Sequence, residues 1–210
     1  MDLASAHCPR RNIKMKNNKN FFVKKYSESW NYIKESRKFI YAIVMIFLAS
    51  VIISILFPVP SQIKQQLLNF IEQLIKQTEG MNQFELIKFI LVNNVQSSLA
   101  GMVFGIFLGI FPVMVVAVNG YLLGFVASMS IQKGGFLVLW KLFPHGIFEL
   151  PAVFISLGMG LKLGTFIFQK KKAESFRKYF WNSIKVFLFV IIPLLIIAAI
   201  IEGSLIAIGG

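Results

Sequence analysis

Phe89 to Gln132 reads FILVNNVQSSLAGMVFGIFLGIFPVMVVAVNGYLLGFVASMSIQ, without one charged side chain. A helix rises about 1.5 Å per residue and a hydrocarbon core is about 30 Å thick, so this run is too long for one crossing and long enough for two. Asn119-Gly120 is the turn-forming dipeptide inside it and the expected break. Working outward, Phe39 to Phe57 (FIYAIVMIFLASVIISILF) supplies one more uncharged span. Lys133-Gly134-Gly135 punctuates the chain on the other side, and apolar blocks follow at Ile147–Leu161 and Val186–Ile201. The expected fold class is all-α, a polytopic transmembrane helical bundle of about five spans.

Composition agrees with a membrane solvent. Of 210 residues, 56% are hydrophobic, 22 are phenylalanine and only 15% are charged. The net charge of +13 does not point to nucleic acid, because the basic residues fall mostly outside the apolar blocks. Arg10, Arg11, Lys14, Lys16, Lys19, Lys24, Lys25, Lys34, Arg37 and Lys38 precede the first span; Lys170, Lys171, Lys172, Arg177, Lys178 and Lys185 lie between the last two. Positive loops stay inside, which places both clusters in the cytoplasm, separated by an even number of crossings. A final crossing then leaves the C-terminus outside the cell membrane.

Residues 1–38 are expected to form a basic cytoplasmic arm. Its end, Tyr26 to Lys38 (YSESWNYIKESRK), mixes aromatic and basic residues as a juxtamembrane helix on an anionic surface does. The first apolar run begins too late and runs too long for a secretory signal. Cys8 beside His7 allows no internal disulfide and is a weak metal signal. Residues 39–210 form the transmembrane domain, which includes an external amphipathic segment, 61–85. There Ile63, Leu67, Phe70 and Leu74 recur at helical spacing, and Gly80 is expected to end the helix.

Small residues recur every four positions. Ser97, Gly101, Gly105 and Gly109 form one such face, Gly120, Gly124 and Ser128 a second, and Ser156, Gly160 and Gly164 a third. Small faces let helices approach closely in lipid, where packing supplies much of the association energy. Packing within the chain is favoured over contact between copies, with a homo-oligomer as the other arrangement. Pro112 and Pro193 fall inside spans and are expected to bend them.

Phe143 to Pro151 (FPHGIFELP) sets two ionisable groups, His145 and Glu149, in apolar surroundings between two prolines. Lys141, His145 and Glu149 would share one helix face. Pro144 and Pro151 oppose a regular helix, so a broken or re-entrant helix is expected near Pro144, with a hairpin around Lys133-Gly134-Gly135. Asn94, Asn119 and Glu202 are the further polar groups that could complete an intramembrane centre, while Lys162 stands near a span end and can snorkel.

Three uses of this centre compete. Catalysis would need Glu149 or His145 as general base, but no second intramembrane histidine and no serine or cysteine with an evident base accompanies them. No enzyme, metal or cofactor site is therefore read here. Transport of an ion or small solute would use the broken helix and the carboxylates. The reading favoured is structural: polar glue fixing a bundle that serves as scaffold or subunit of a membrane complex.

The stretch LFPHGIFELPAVFISLGMGLKLG, Leu142 to Gly164, resembles the signature of the stage II sporulation protein M family. Asn93-Asn94 with the glycine-spaced span, Asn119-Gly120-Tyr121-Leu122-Leu123-Gly124, and Ala199-Ile200-Ile201-Glu202 are similar to its other recurrent stretches. The resemblance spans roughly Trp30 to Leu205 and implies a polytopic membrane protein with about five spans; no enzymatic mechanism is implied by it. In sporulating relatives it implies a role in engulfment with peptidoglycan-degrading partners. The partners expected are the bilayer and membrane or cell-envelope proteins, and not nucleic acid.

Overall fold

The computed structural model describes residues 10–57, 61–135 and 143–209. Helix α1 (Arg10–Glu35) and α2 (Arg37–Leu56) are separated only by Ser36. The Ser36 hydroxyl donates to the Tyr32 carbonyl at 2.7 Å, a local bond that competes with the helical ladder and turns the chain. Helix α3 (Ser61–Thr78) follows, and Gly80 takes a left-handed φ of 78° beyond its end. Asn82 then caps α4 (Gln83–Val103): its Oδ1 accepts from the Glu85 amide, and Glu85 returns a bond to the Asn82 amide.

The second and third spans part at Phe107–Gly109 and not at Asn119-Gly120. A short 3₁₀ turn (Phe104–Ile106) ends the second span, Leu108 and Gly109 both take positive φ, and α5 (Ile110–Gly134) begins at once. Gly109 can hold this conformation because it lacks a Cβ. Asn119-Gly120 stays helical, and its glycine serves packing: a methyl group there would lie 2.6 Å from the Phe47 carbonyl. The expectation for Pro112 also changes. It is the third residue of α5, where no intrahelical acceptor is required, so it starts the helix without bending it.

Helix α6 (Phe143–Gly164) starts one residue before Pro144, continues through Pro151 and ends in a 3₁₀ turn, Thr165–Phe168. Helix α7 (Lys172–Val186) passes through π-helical Phe187–Ile191 into α8 (Ile192–Gly209). The Ile192 amide reaches back to the Phe187 carbonyl, and this wider ladder takes up the mismatch made by Pro193. Among the described residues, five helical segments are long and apolar enough to cross a membrane: Arg37–Leu56, Gln83–Ile106, Ile110–Gln132, Glu149–Phe168 and Lys172–Ile206. The chain is a polytopic helical bundle, and no strand occurs among the described residues.

The central helix is α6. Ser156, Leu157, Gly158, Met159 and Gly160 are all buried, with α2, α4 and α8 packed around them. Gly160 and Gly164 press on the backbone of Gly101, Met102, Gly105 and Gly109, so the glycines of the first and third small-residue faces meet each other, while Ser97 stays exposed. The second face meets α2, with Gly120 against Phe47 and Gly124 against Val51 and Ser54. Ser156 adds a buried hydrogen bond to the Ser98 carbonyl at 2.7 Å. The pairings Gly120–Phe47 and Gly124–Val51 make α5 parallel to α2, whereas Ile40–Gly158 and Phe47–Phe154 make α6 antiparallel to it. Successive spans therefore alternate in direction.

A leucine at Gly160 would meet the Gly101 carbonyl and the Met102 backbone, neither of which can move aside. Overpacking of this kind costs about 1–3 kcal/mol or more. Gly160→Leu is expected to lower the thermal unfolding midpoint in detergent or abolish folded yield. Gly146→Ala, opposed among the described residues by the flexible Leu150 side chain at 3.2 Å, should leave the midpoint unchanged. Equal tolerance of the two substitutions would contradict the close-packed seam.

Candidate functional site

The polar residues singled out in the sequence divide in space. His145 falls in the first turn of α6, where the fixed φ of Pro144 suits helix initiation. Lys141 lies outside the described residues. Glu149 is half-buried on α6, Glu202 is half-buried on α8 with its Oε2 closed off from solvent, and both are engaged in a polar interaction. Asn94 is half-buried on α4. These three helices pack against one another, and α4 and α8 are pinned at that end where Gln83 donates to the Ser204 hydroxyl at 3.1 Å. Asn119 does not join them; it is exposed on α5. Among the described residues, no three His, Cys, Asp or Glu side chains converge as metal ligands would.

A second polar centre occupies the opposite end of the bundle, around Lys162. Lysine near a span end ordinarily snorkels outward, yet this one is only 7% exposed. Its position explains why. Gly160 and Gly164 occupy the α6 face that contacts the α4–α5 turn, and Lys162, two residues from each, points the other way. There α1, the Ser36 turn and α7 cover it. Its Nζ donates to Ser36 Oγ at 2.9 Å and lies 3.9 Å from the centre of the Tyr32 ring, with the Tyr179 ring at 5.4 Å. Ser36 Oγ in turn donates to the Tyr32 carbonyl. Glu35 adds electrostatic attraction.

Such a cluster replaces water with one hydrogen bond and an aromatic face, each contributing about 0.5–2 kcal/mol. Burial pushes the Tyr32 phenol well above its ordinary range, so the ring stays neutral. The Ser183 hydroxyl opposes that shift from nearby, but the two groups do not reach hydrogen-bonding geometry, and both hydroxyls are buried.

Sequence reasoning missed this centre because it treated Lys162 and the α1 aromatics separately. The available signal was Tyr32 and Ser36 at i and i+4 ahead of the first span, together with a lysine inside LGMGLKLG, where close packing blocks an exit. The same end gathers the basic segments. Glu28 on α1 accepts from Lys25 at 3.2 Å and from Lys185 of α7 at 3.3 Å. Those bonds, Lys25 first, hold its carboxyl below the ordinary glutamate range, so the α1–α7 bridge survives acidification through that range and dissolves only below it. Lys24, Lys34, Arg37, Lys38, Lys170, Lys171, Lys172, Arg177 and Lys178 remain exposed around it.

A model of the stage II sporulation protein M family matches residues 43–205. The match thus begins after the Ser36 turn, not at Trp30, and takes in Lys162 and Tyr179 but not Tyr32. Over 104 residues the chain is 34% identical to an uncharacterized protein of Methanocaldococcus jannaschii; the aligned part is 47% of each chain, about half the length of that relative. No solved structure matches the chain.

Replacing Lys162 with alanine leaves Ser36 without its donor and the Tyr32 face without its cation. Lys162→Ala should cost about 1–3 kcal/mol and make α1 cleave faster under limited trypsin digestion in membranes. Tyr32→Phe keeps the ring and removes a buried hydroxyl that makes no hydrogen bond among the described residues, so its digestion pattern should match the parent chain. If Tyr32→Phe loosens α1 as much as Lys162→Ala does, the hydroxyl and not the ring anchors the helix.

Proposed function

The chain belongs to the stage II sporulation protein M family, and from that premise we propose that it is a scaffold or subunit of a cell-membrane complex, without enzymatic activity of its own. Its family and its five apolar crossings make it a multipass membrane protein. The observation that carries the scaffold reading is the backbone-close packing around α6. Rigid, glycine-seated helices favour a fixed platform over a protein that must open and close around a solute. The groove of about 350 Å³ lined by α4 supports the same reading, since it opens on the outside of the bundle. The family's name carries sporulation, and in sporulating organisms the proposal extends to engulfment with peptidoglycan-degrading partners.

Orientation follows from charge. Both basic clusters sit at the Lys162 end, so the positive-inside rule puts that end, with the N-terminus, in the cytoplasm. With five crossings, the orientation proposed has the C-terminus outside. Helix α3, with Ile63, Phe70 and Ile75 exposed, lies on the external side as a connector at the membrane surface.

A second reading rests on Glu149 and Glu202, carboxylates half-buried on two packed helices at one end of the bundle. They would bind an ion or proton in a small-solute transporter.

Isolation from native membranes in mild detergent is expected to yield a stoichiometric envelope or membrane partner; repeated recovery of the chain alone would count against the scaffold. In proteoliposomes no proton or sodium flux is expected. A flux abolished by Glu149→Gln or Glu202→Gln would establish the transporter reading instead. A C-terminal reporter should be active only outside the cytoplasm, and cytoplasmic activity would contradict the orientation.

A further inference from the structure

One face of α4 packs inward through Leu86, Ser98, Gly101 and Met102, and the opposite face carries polar groups outward. Glu85, Lys88, Asn93 and Gln96 are all exposed, and with Phe89 and Val92 they line the groove of about 350 Å³. Asn93 and Gln96 lie near the middle of the Gln83–Ile106 span, where lipid chains offer no hydrogen bond. Among the described residues neither side-chain amide makes one. Polar side chains turned to hydrocarbon at that depth are costly, and an interhelical partner removes the cost.

We propose that this stripe is the seam of a parallel homodimer, with α4 of a second copy seated against it. Copies inserted by the same sequence share one orientation, so a two-fold axis along the membrane normal brings each residue opposite its own counterpart at equal depth. That geometry suits only side chains complementary to themselves. An amide both donates and accepts, so Asn93 meets Asn93 and Gln96 meets Gln96 with bonds in both directions. A buried asparagine pair of this kind also fixes register and parallel orientation in paired helices. Nearer the end of the span, Glu85 and Lys88 also stand opposite their own counterparts, and the opposite charge one turn away on the other copy, reached diagonally, offsets that like-charge repulsion. Ser97, exposed beside Gln96, and Ala100, one turn further on, keep the seam narrow. The dimer stands whether or not the scaffold reading holds, because it depends only on α4.

Cys8 is the chain's one cysteine, so a Cys8→Ser background gives clean reporters. In native membranes, Asn93→Cys and Gln96→Cys should each form a disulfide-linked dimer on mild oxidation. Met45→Cys, 65% exposed on α2 and also near mid-span, should stay monomeric. Absence of the dimer at both α4 positions, equal yield at Met45, or cross-linking only to a different protein would overturn the proposal. Independently, Asn93→Leu with Gln96→Leu in the full chain should weaken self-association in mild detergent at least tenfold by mass measurement. An unchanged dimer fraction would overturn it as well. The cross-link alone decides if the leucine variant does not fold.

Discussion

The contact between Gly160–Gly164 of α6 and Gly101–Gly109 of α4 and the turn after it is the constraint on which the bundle depends. In lipid, helices gain little from hiding apolar surface, because the solvent is itself apolar; they gain from backbone approach and from polar groups satisfied between them. Four glycines bring α6 against the turn closely enough that a methyl group at Gly105 or Gly164 would overlap backbone atoms. The same closeness allows Leu108 and Gly109 to reverse the chain in three residues, since the turn is held on one side by α6. Reversal and packing are one event.

Everything on the far side of α6 follows from that seam. With two faces committed to α4 and to α2, the position between Gly160 and Gly164 turns toward α1 and α7 and carries its lysine into protein. Lys162 is thereby satisfied by Ser36 and an aromatic face in place of water. Ser36 has a double role: its hydroxyl turns the chain between α1 and α2 and then accepts the buried ammonium. A glycine there would turn the chain but bind nothing.

Much of the fold was legible in the sequence, because span length and charge placement are properties of single segments. The count of five crossings among the described residues and the small-residue faces come from local pattern, while the break expected near Pro144 and the hairpin around Lys133-Gly134-Gly135 adjoin residues 136–142, which lie outside the described residues. The errors came where a residue's role is decided by its neighbour in space. Asn119-Gly120 has turn chemistry, but Gly120 lies under Phe47 and is used for approach, while the turn falls at a Phe-Leu-Gly sequence that local propensity passes over. Pro112 shifted role for the same reason, since moving the turn put it in the first turn of a helix. Glu149, Glu202 and Asn94 lie on mutually packed helices and Asn119 is exposed on another, while Lys162, assigned to the interface, is buried.

Helices α7 and α8 form with the π-helical segment between them a rod of 35 residues, Lys172–Ile206, about 50 Å long at the usual rise per residue. A hydrocarbon core of about 30 Å takes about 20 of them and leaves a surplus of roughly 15 residues. Charge decides which end projects: Lys172, Arg177 and Lys178 sit on α7, whereas Ile192–Ile201 carries none. The projecting α7 is the platform on which α1 lies, through Glu28–Lys185 and the Tyr32–Lys162 contact. Residues outside the family match are thus joined to residues within it by a cation, a hydroxyl and an aromatic ring. Lys162 thereby ties α1 to the helix that every other span leans against.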